Sequence, residues 1–129
     1  MTDRATLHRW SEMPGEQLNE RLTRRYIGGD QATIAQFHLK QGCLVPNHSH
    51  GNEQFTNVLQ GVLRFRFGAD QLEVVDVRAG EVVRIPGNLP HSAEALEDTQ
   101  VLDVFCPPRA DWIAKDDAYL RQGARKPGS

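Results

Sequence analysis

The stretch GVLRFRFG, residues 61–68, decides the class of fold. Apolar and charged side chains alternate along it, so Leu63, Phe65 and Phe67 share one face of an extended strand. The two arginines between them share the other face. This pattern predicts a β-strand over Val62–Phe67 with one face buried in a core.

On both sides of this strand, the chain consists of further short segments of the kind that form strands. Glycines and prolines interrupt the sequence about every ten residues, and the segments between them are short, β-branched and aromatic. No long amphipathic helix is evident. The pattern predicts a strand-rich barrel or sandwich with strands at Thr33–Leu39, Leu44–His50, Gln54–Leu59, Val62–Phe67, Leu72–Val77, Glu81–Ile85, His91–Leu96 and Gln100–Cys106.

Both ends of the chain differ from this pattern. The residues before Tyr26 are polar and predict a lead-in arm with a short helical stretch at Glu16–Arg21. After a double proline, Ala110–Leu120 predicts a helical turn, and the small basic segment Arg121–Ser129 predicts a disordered tail. We find no internal repeat and no linker between domains, so we expect one domain.

Size and charge exclude several functions. The chain has 129 residues and a mass of 14.5 kDa, which suits a single domain. Fifteen basic against seventeen acidic residues give a net charge of −2, so we expect neither nucleic-acid nor membrane partners. The mean hydropathy is −0.54, and charged residues stand where a signal peptide would be apolar. We therefore expect a cytoplasmic protein.

The two cysteines are too few for a disulfide framework. A single bridge between Cys43 and Cys106 stays open, but two buried thiols are the favoured expectation. Strand alternation gives Cys43 the opposite parity to the histidines of its strand, which predicts a core or outward position. Cys106 shares the parity of Leu102 and Val104, which predicts packing.

Three of the five histidines have a setting that suits a metal ion. His48 and His50 end a predicted strand, where residues two apart point to the same side. A Gly-Asn turn then brings back Glu53 and Gln54, of which only one can point inward, and alternation favours Gln54. His91 follows the rigid turn IPGNLP and supplies a further imidazole.

An isolated His-x-His pair is more often two exposed polar residues at a strand end. The returning strand and the third histidine reverse that preference here. His8 and His38 lack such a setting, and we expect both at the surface, His38 on an outward strand face.

These residues resemble the two motifs of the cupin superfamily. The first is formed by Gly42, His48, His50, Gln54 and Gly61, with Gln54 where glutamate is usual. The second is formed by Gly80, Pro86, Asn88 and His91, eighteen residues after the first. Asn88 stands in place of a common glycine, and Ala95 in place of a common asparagine. Neither of these two positions holds metal.

The cupin resemblance covers Thr33 to about Arg109 and implies an all-β fold. The implied architecture is a single-domain double-stranded β-helix, the cupin jelly-roll barrel, with a metal inside. Residues 1–129 would form one cupin domain, with a barrel core at about 26–109, a short N-terminal arm at 1–25 and a C-terminal extension at 110–129.

Four runs are similar to the KdgF-like cupins, which process unsaturated uronate monosaccharides released from pectin and alginate. The runs are HSHGNEQ, VLQGVLRFRFG, IPGNLPHSAEALED and LDVFCPPRADW. This resemblance implies one divalent transition metal ion, either nickel, iron, manganese, zinc or cobalt. It implies the metal ligands His48, His50, Gln54 and His91, and functional roles for Asp103, Phe105 and Arg109.

The chemistry of these residue types agrees with an anionic substrate. Neutral imidazole and amide ligands leave the charge of a divalent ion uncompensated, so the ion attracts anions and polarises bound oxygen. Asp103 interrupts an apolar strand and is either an inward acid and base or an outward, paired aspartate. Arg109 either grips a substrate carboxylate or forms a salt bridge, for example with Asp111. Phe105 either covers a sugar ring or is core.

The expected function is that of a metal-dependent enzyme acting on a small anionic sugar or keto acid. Its specific form, by resemblance, is the ring opening of 4,5-unsaturated uronates to keto forms. A metal-dependent dioxygenase or polyketide cyclase is an alternative, and a non-enzymatic sugar- or metal-binding module is another. By analogy with small cupins we expect a homodimer, through a sheet face or an exchanged arm that contains Trp10 and Met13.

Overall fold

A computed structural model describes residues 4–122 of the protein. Within these residues a 3₁₀ turn at Trp10–Glu12 precedes ten strands, and two short helices follow them. The strands are β1 (Glu16–Asn19), β2 (Leu22–Gly28), β3 (Thr33–Leu39), β4 (Leu44–His48), β5 (Glu53–Gln60), β6 (Val62–Phe67), β7 (Glu73–Arg78), β8 (Val82–Ile85), β9 (His91–Ala95) and β10 (Thr99–Cys106). The helices are α1 (Ala110–Ile113) and α2 (Ala118–Gln122).

The strands form two antiparallel sheets that share one core. The larger sheet has the order β1-β2-β3-β10-β5-β8, and the smaller has the order β4-β9-β6-β7. Inward side chains of both sheets belong to a single hydrophobic cluster. On β6 the phenylalanines and Leu63 are buried while both arginines are half-buried, as the alternation predicts. The all-β jelly-roll architecture is confirmed, and the eight predicted strands are present with ends shifted by a few residues.

The prediction of a helix at Glu16–Arg21 is wrong. These residues form β1 and the turn into β2, and β2 pairs with β3 from Leu22 opposite Leu39 to Gly28 opposite Thr33. The larger sheet thus includes residues that the sequence assigned to an arm. The cause is Arg24, which occupies an inward position of β2 and breaks the apolar alternation that marks the other strands.

The predicted helical turn after the double proline is confirmed as α1 and α2. Trp112 and Leu120 are buried in the core, and the Asn19 amide donates a hydrogen bond of 2.9 Å to the Leu120 carbonyl. Arg24 binds Asp117 at 2.9 Å, with both side chains buried. These contacts fasten the segment after β10 to β1 and β2. Of the predicted tail, Arg121 and Gln122 end α2, and 123–129 lie outside the described residues.

Neither cysteine forms a disulfide. Cys43 is buried, but Cys106 is exposed, so the expectation of two buried thiols is wrong for the second. On β10 the inward side chains are those of Asp103 and Phe105, which leaves Cys106 on the outer face opposite Glu53. His8 and His38 are exposed, as predicted.

Candidate metal centre

The three histidines of the two motifs meet at one end of the smaller sheet. His48 ends β4, and His91 begins β9 directly opposite it in the antiparallel ladder. His50 follows two residues after β4, in the turn that leads to β5. Donor nitrogens of all three rings lie within 4.8 Å of one another.

Close contact between the two motif loops keeps His50 in place. The backbone N–H of Asn88 donates a hydrogen bond of 2.7 Å to the His50 carbonyl. A Cβ atom on Gly87 would lie 2.6 Å from the Gly51 carbonyl oxygen, so this position requires glycine. Asn88 has a φ of 69°, a left-handed conformation that asparagine tolerates better than most residues. The asparagine therefore fits where the motif commonly has glycine.

Backbone carbonyl groups fix the tautomer of every histidine in the cluster. The Nδ1 atoms of His48, His50 and His91 lie 2.7, 3.2 and 2.9 Å from the carbonyl oxygens of Pro46, Asn52 and Leu89. A carbonyl only accepts, so each Nδ1 carries the proton and each Nε2 presents a lone pair. Ligand histidines in metal sites are commonly oriented in this way.

The histidines are held neutral. Burial lowers the pKa of His48 to about 3 and the pKa of His50 to about 4, and it lowers the pKa of His91 as well. The positive charge of Arg109 acts in the same direction on all three. Neutral imidazoles keep their lone pairs for a metal ion at physiological pH.

Gln54 points inward and Glu53 points outward. Gln54 is 6% exposed, and its amide nitrogen donates a hydrogen bond of 2.9 Å to the Thr56 hydroxyl. The side chain of Glu53 is 43% exposed and pairs with Arg84 at 2.8 Å. The structure thus places Gln54, not Glu53, beside the three histidines.

Two observations show that the residues fit a cation. The Gln54 Oε1 atom lies 3.1 Å from the His50 Nε2 atom, although both atoms are acceptors. The His91 Nε2 atom is buried and has no hydrogen-bond partner among the described residues. A metal ion bound between these lone pairs removes the repulsion and satisfies the orphaned nitrogen.

Asp103 lies on the inward face of β10 and is buried. Its Oδ1 atom has no hydrogen-bond partner within residues 4–122. Burial raises the pKa of Asp103 to about 7, against the opposing effects of the Thr56 hydrogen bond and the Arg109 charge. The carboxyl group is therefore present in both protonation states near neutral pH and is able to accept and return a proton.

Arg109 follows β10 and is buried, with only 2% of its surface exposed. Its Nε and Nη2 groups bind the Asp111 carboxylate, and Nη2 also donates to the Tyr119 hydroxyl at 2.7 Å. Its guanidinium carbon lies 4.7 Å from the centre of the Phe105 ring and 4.5 Å from that of Trp112. The salt bridge with Asp111 is present, in a buried rather than a surface setting.

Two spaces adjoin the site. An inner cavity of about 50 Å³ lies in the barrel and is lined by Asp103, Gln54 and Phe105, among others. An open groove of about 460 Å³ lies between 48–52 and 108–111. His48, Arg109 and Tyr119 line both spaces. The inner cavity accommodates a few water molecules, and the groove has the volume of a small-molecule site.

The sequence of the barrel core identifies the family. The family model of the Cupin domain (Cupin_2) matches residues 35–105, which is more than half of the chain. The protein belongs to the cupin family. No curated protein sequence matches this cupin. No helix in residues 4–122 is long and apolar enough to span a membrane.

Solved structures share the fold of this cupin. KdgF from a Halomonas species superposes with a TM-score of 0.77 at 21% identity, over 84% of this chain and 99% of the other. An RmlC-like cupin from Shewanella frigidimarina has a TM-score of 0.76 at 17% identity, over 84% and 96%. An oxalate decarboxylase of Bacillus subtilis has a TM-score of 0.68 at 20% identity, over 81% of this chain and 31% of the other. The cupin fold and its similarity to the fold of KdgF are thereby confirmed.

Sequence reasoning missed three residues that shape this cupin site. Asn52 donates to the Pro107 and Pro108 carbonyl groups and so connects the His50 loop with the segment that carries Arg109. Thr56 binds the Gln54 amide. The ring of Tyr119 packs against the ring of His48, with 4.4 Å between the ring centres. The alternation of β5 was a signal for Thr56, while nothing in the sequence indicated Tyr119.

Proposed function

We propose that this cupin is a metal-dependent enzyme that opens the ring of 4,5-unsaturated uronate monosaccharides to give the linear keto form. The observation that carries the proposal is the convergence of three neutral imidazoles and one amide oxygen beside a buried carboxyl group and a buried guanidinium. The resemblance of the last strand and its exit to KdgF-like cupins supports the substrate class.

The ligands in this proposal are His48, His50, Gln54 and His91, and the ion is one of nickel, iron, manganese, zinc or cobalt. When bound, such an ion acts as a Lewis acid that polarises an oxygen of the substrate. None of the four ligands carries a negative charge, so the site attracts an anion such as a uronate. Gln54 has no basic group, and proton transfer therefore falls to another residue.

Asp103 is that residue. Its carboxylate removes the proton of the anomeric hydroxyl, and the bond between the anomeric carbon and the ring oxygen breaks with its electron pair going to that oxygen, which leaves an aldehyde and an enolate. The same carboxyl group then returns the proton to the enolate carbon, which gives the ketone. No atom is gained or lost, so the reaction is an isomerisation. Asp103 lines the inner cavity, which adjoins the groove at His48, Arg109 and Tyr119.

Arg109 attracts the substrate carboxylate to the groove. Its Nε–Nη2 edge is bound by Asp111, so the Nη1 group and the positive charge are what it offers to the substrate. Phe105 and Trp112 pack against the guanidinium and hold it in place. Phe105 lines the inner cavity but not the groove, so its role here is to support Arg109.

The test follows the ultraviolet absorbance of the enol ether in unsaturated galacturonate and mannuronate monomers. Metal-loaded protein is expected to remove the absorbance faster than the spontaneous rate. Chelation and Asp103→Asn are each expected to abolish the acceleration, because the first removes the Lewis acid and the second removes the proton carrier.

The matched control is Cys106→Ser, which changes an exposed side chain on the same strand but on its outer face. This variant is expected to retain the wild-type rate. If metal-loaded protein accelerates the loss of absorbance for neither sugar, the uronate proposal is wrong. Oxygen uptake with diketones and flavonols then tests the dioxygenase alternative.

A further inference from the structure

We propose that Thr56 is a positioning residue that links the metal ligand Gln54 to Asp103 and sets which atom of the Gln54 amide faces the metal. This inference rests on the metal site of the proposed function and not on its substrate. It assigns to one buried hydroxyl group both the orientation of a ligand and the contact between that ligand and the acid.

The three residues form a row across two paired strands. Gln54 and Thr56 are two residues apart on β5, so both side chains point into the barrel. Thr56 is directly opposite Asp103 in the pairing of β5 with β10. All three side chains are buried, and Thr56 is 0% exposed.

Hydrogen-bond chemistry decides which groups in this row donate and which accept. The Gln54 amide nitrogen donates to the Thr56 oxygen at 2.9 Å, so the single hydroxyl hydrogen of Thr56 is free to point elsewhere. Its neighbour across the strands is the Asp103 carboxyl group, which is able to accept that hydrogen. The row therefore offers a chain from amide to hydroxyl to carboxylate.

The direction of the chain matters for the metal. The nitrogen and oxygen of an amide have nearly the same shape, and only hydrogen bonding decides which one faces a given side. With the nitrogen bound to Thr56, the oxygen faces His50. An amide nitrogen has no lone pair to offer a cation, so a Gln54 side chain turned the other way does not bind metal.

The same three residues explain why glutamine suits position 54 better than glutamate. The Thr56 hydroxyl has one hydrogen, and the Asp103 carboxylate opposite it is placed to accept it. A glutamate at position 54 would leave two carboxylates to compete for one donor in a buried environment, with the second left unsatisfied. Gln54 supplies its own donor to Thr56 and avoids this conflict.

The test is the affinity of the full-length protein for Ni²⁺ and for Mn²⁺, measured by isothermal titration calorimetry. Thr56→Val keeps the shape but removes the hydroxyl, and it is expected to weaken binding about 10- to 100-fold. Thr56→Ser keeps the hydroxyl and is expected to bind within about twofold of the wild type.

A second background shows whether Thr56 acts through Gln54. Both terminal atoms of glutamate are oxygens, so Gln54→Glu has no wrong orientation. In this background Thr56→Val is expected to change the affinity by less than about twofold. Thr23→Val, which removes the hydroxyl that Thr23 shares with Gln17 on the far side of the larger sheet, is the control and is expected to bind as the wild type does.

Three results would overturn the inference. They are wild-type affinity in Thr56→Val, an equal loss of affinity in both backgrounds, and the absence of binding of either ion by the wild type. If Thr56→Val does not fold, Thr56→Ala carries the same comparison. A failure of uronate turnover with the expected pattern of affinities refutes the proposed substrate and leaves the role of Thr56 intact.

Discussion

Two buried arginines, Arg24 and Arg109, pack over the same tryptophan. Their guanidinium carbons lie 4.6 and 4.5 Å from the centre of the Trp112 ring, and each residue is 2% exposed. Each also binds a carboxylate of the segment after β10, Asp117 in one case and Asp111 in the other. By burial, stacking and pairing the two residues are alike.

Their electrostatic effects differ. Arg109 lowers the pKa of all three clustered histidines and of Asp103, so its charge acts on the metal centre. Arg24 lowers the pKa of Glu16 and of Asp117, so its charge acts on the junction between the larger sheet and α2. The role of a buried, stacked arginine therefore depends on which groups its charge reaches, and burial alone does not show it.

The largest expected effect comes from Arg109→Met. We expect kcat/KM for the uronate to fall about 100- to 1000-fold, because the charge that attracts the substrate carboxylate is lost. The affinity for Ni²⁺ is expected not to fall, since a positive neighbour of the cation has been removed. Steady-state kinetics and calorimetry on the same preparation test both statements. A lower Ni²⁺ affinity with unchanged kcat/KM would contradict the role of Arg109 in attracting the substrate.

Arg24→Met is expected to act on stability instead. Its removal leaves the buried Asp117 with Arg121 alone, and the free energy of unfolding is expected to fall by about 3 kcal/mol. Urea denaturation measures this value. The folded Arg24→Met protein is expected to have a kcat/KM close to that of the wild type. A kinetic defect as large as that of Arg109→Met would show that the two arginines share one role.

Asp103→Asn tests how the charge of the buried Asp103 carboxylate affects the stability of the fold. The pKa of Asp103 is raised to about 7, so the folded metal-free protein binds a proton that the unfolded chain has released, and ionisation at higher pH destabilises the fold. The free energy of unfolding of Asp103→Asn is expected to exceed that of the wild type by an amount that grows from about pH 4 to about pH 7 and then stays constant. This difference is expected to reach at least about 1 kcal/mol.

Thermal unfolding of metal-free wild type and Asp103→Asn at several pH values measures this advantage. Arg109→Met is expected to leave the start of the rise unchanged and to extend its upper end to higher pH, because the guanidinium lowers the pKa of Asp103 in the folded protein. Arg24→Met is expected to leave it in place. An advantage that does not depend on pH would contradict the raised pKa.

The smallest effect is expected from Arg84→Met, an arginine at the surface. Its pair with Glu53 is partly exposed, and such pairs contribute less than about 1 kcal/mol to stability. Although Glu53 precedes Gln54 in sequence, its side chain points away from the metal centre. We therefore expect unchanged Ni²⁺ affinity in calorimetry, and a clear loss would show that Glu53 is coupled to the site.

The same two arginines show which contacts can be predicted from the sequence and which cannot. Arg109 stands two residues from Asp111, so its salt bridge was open to prediction from the local sequence. Arg24 pairs with a carboxylate 93 residues later, and without that partner β2 has the pattern of a polar arm. Alternation predicted the strands whose inward residues are apolar, and it failed where an inward residue is a compensated charge.

The candidate site shows a similar division. The His48 and His50 pair, His91 and the inward side of Gln54 followed from motif spacing and strand parity. The contact of Thr56 with Asp103 depends on the register between β5 and β10, which the sequence of either strand does not specify. The position of Tyr119 over His48 depends on how α2 returns to the barrel, and no local pattern specifies that either.

The main-chain carbonyl groups that hold the three imidazoles have a consequence for divergence within the fold. A carbonyl oxygen of the peptide backbone is present whatever side chain its residue carries, so most substitutions around the histidines leave their orientation unchanged. Exposed side chains at the edge of the groove can therefore change, and with them the substrate preference, while the three imidazoles keep their orientation.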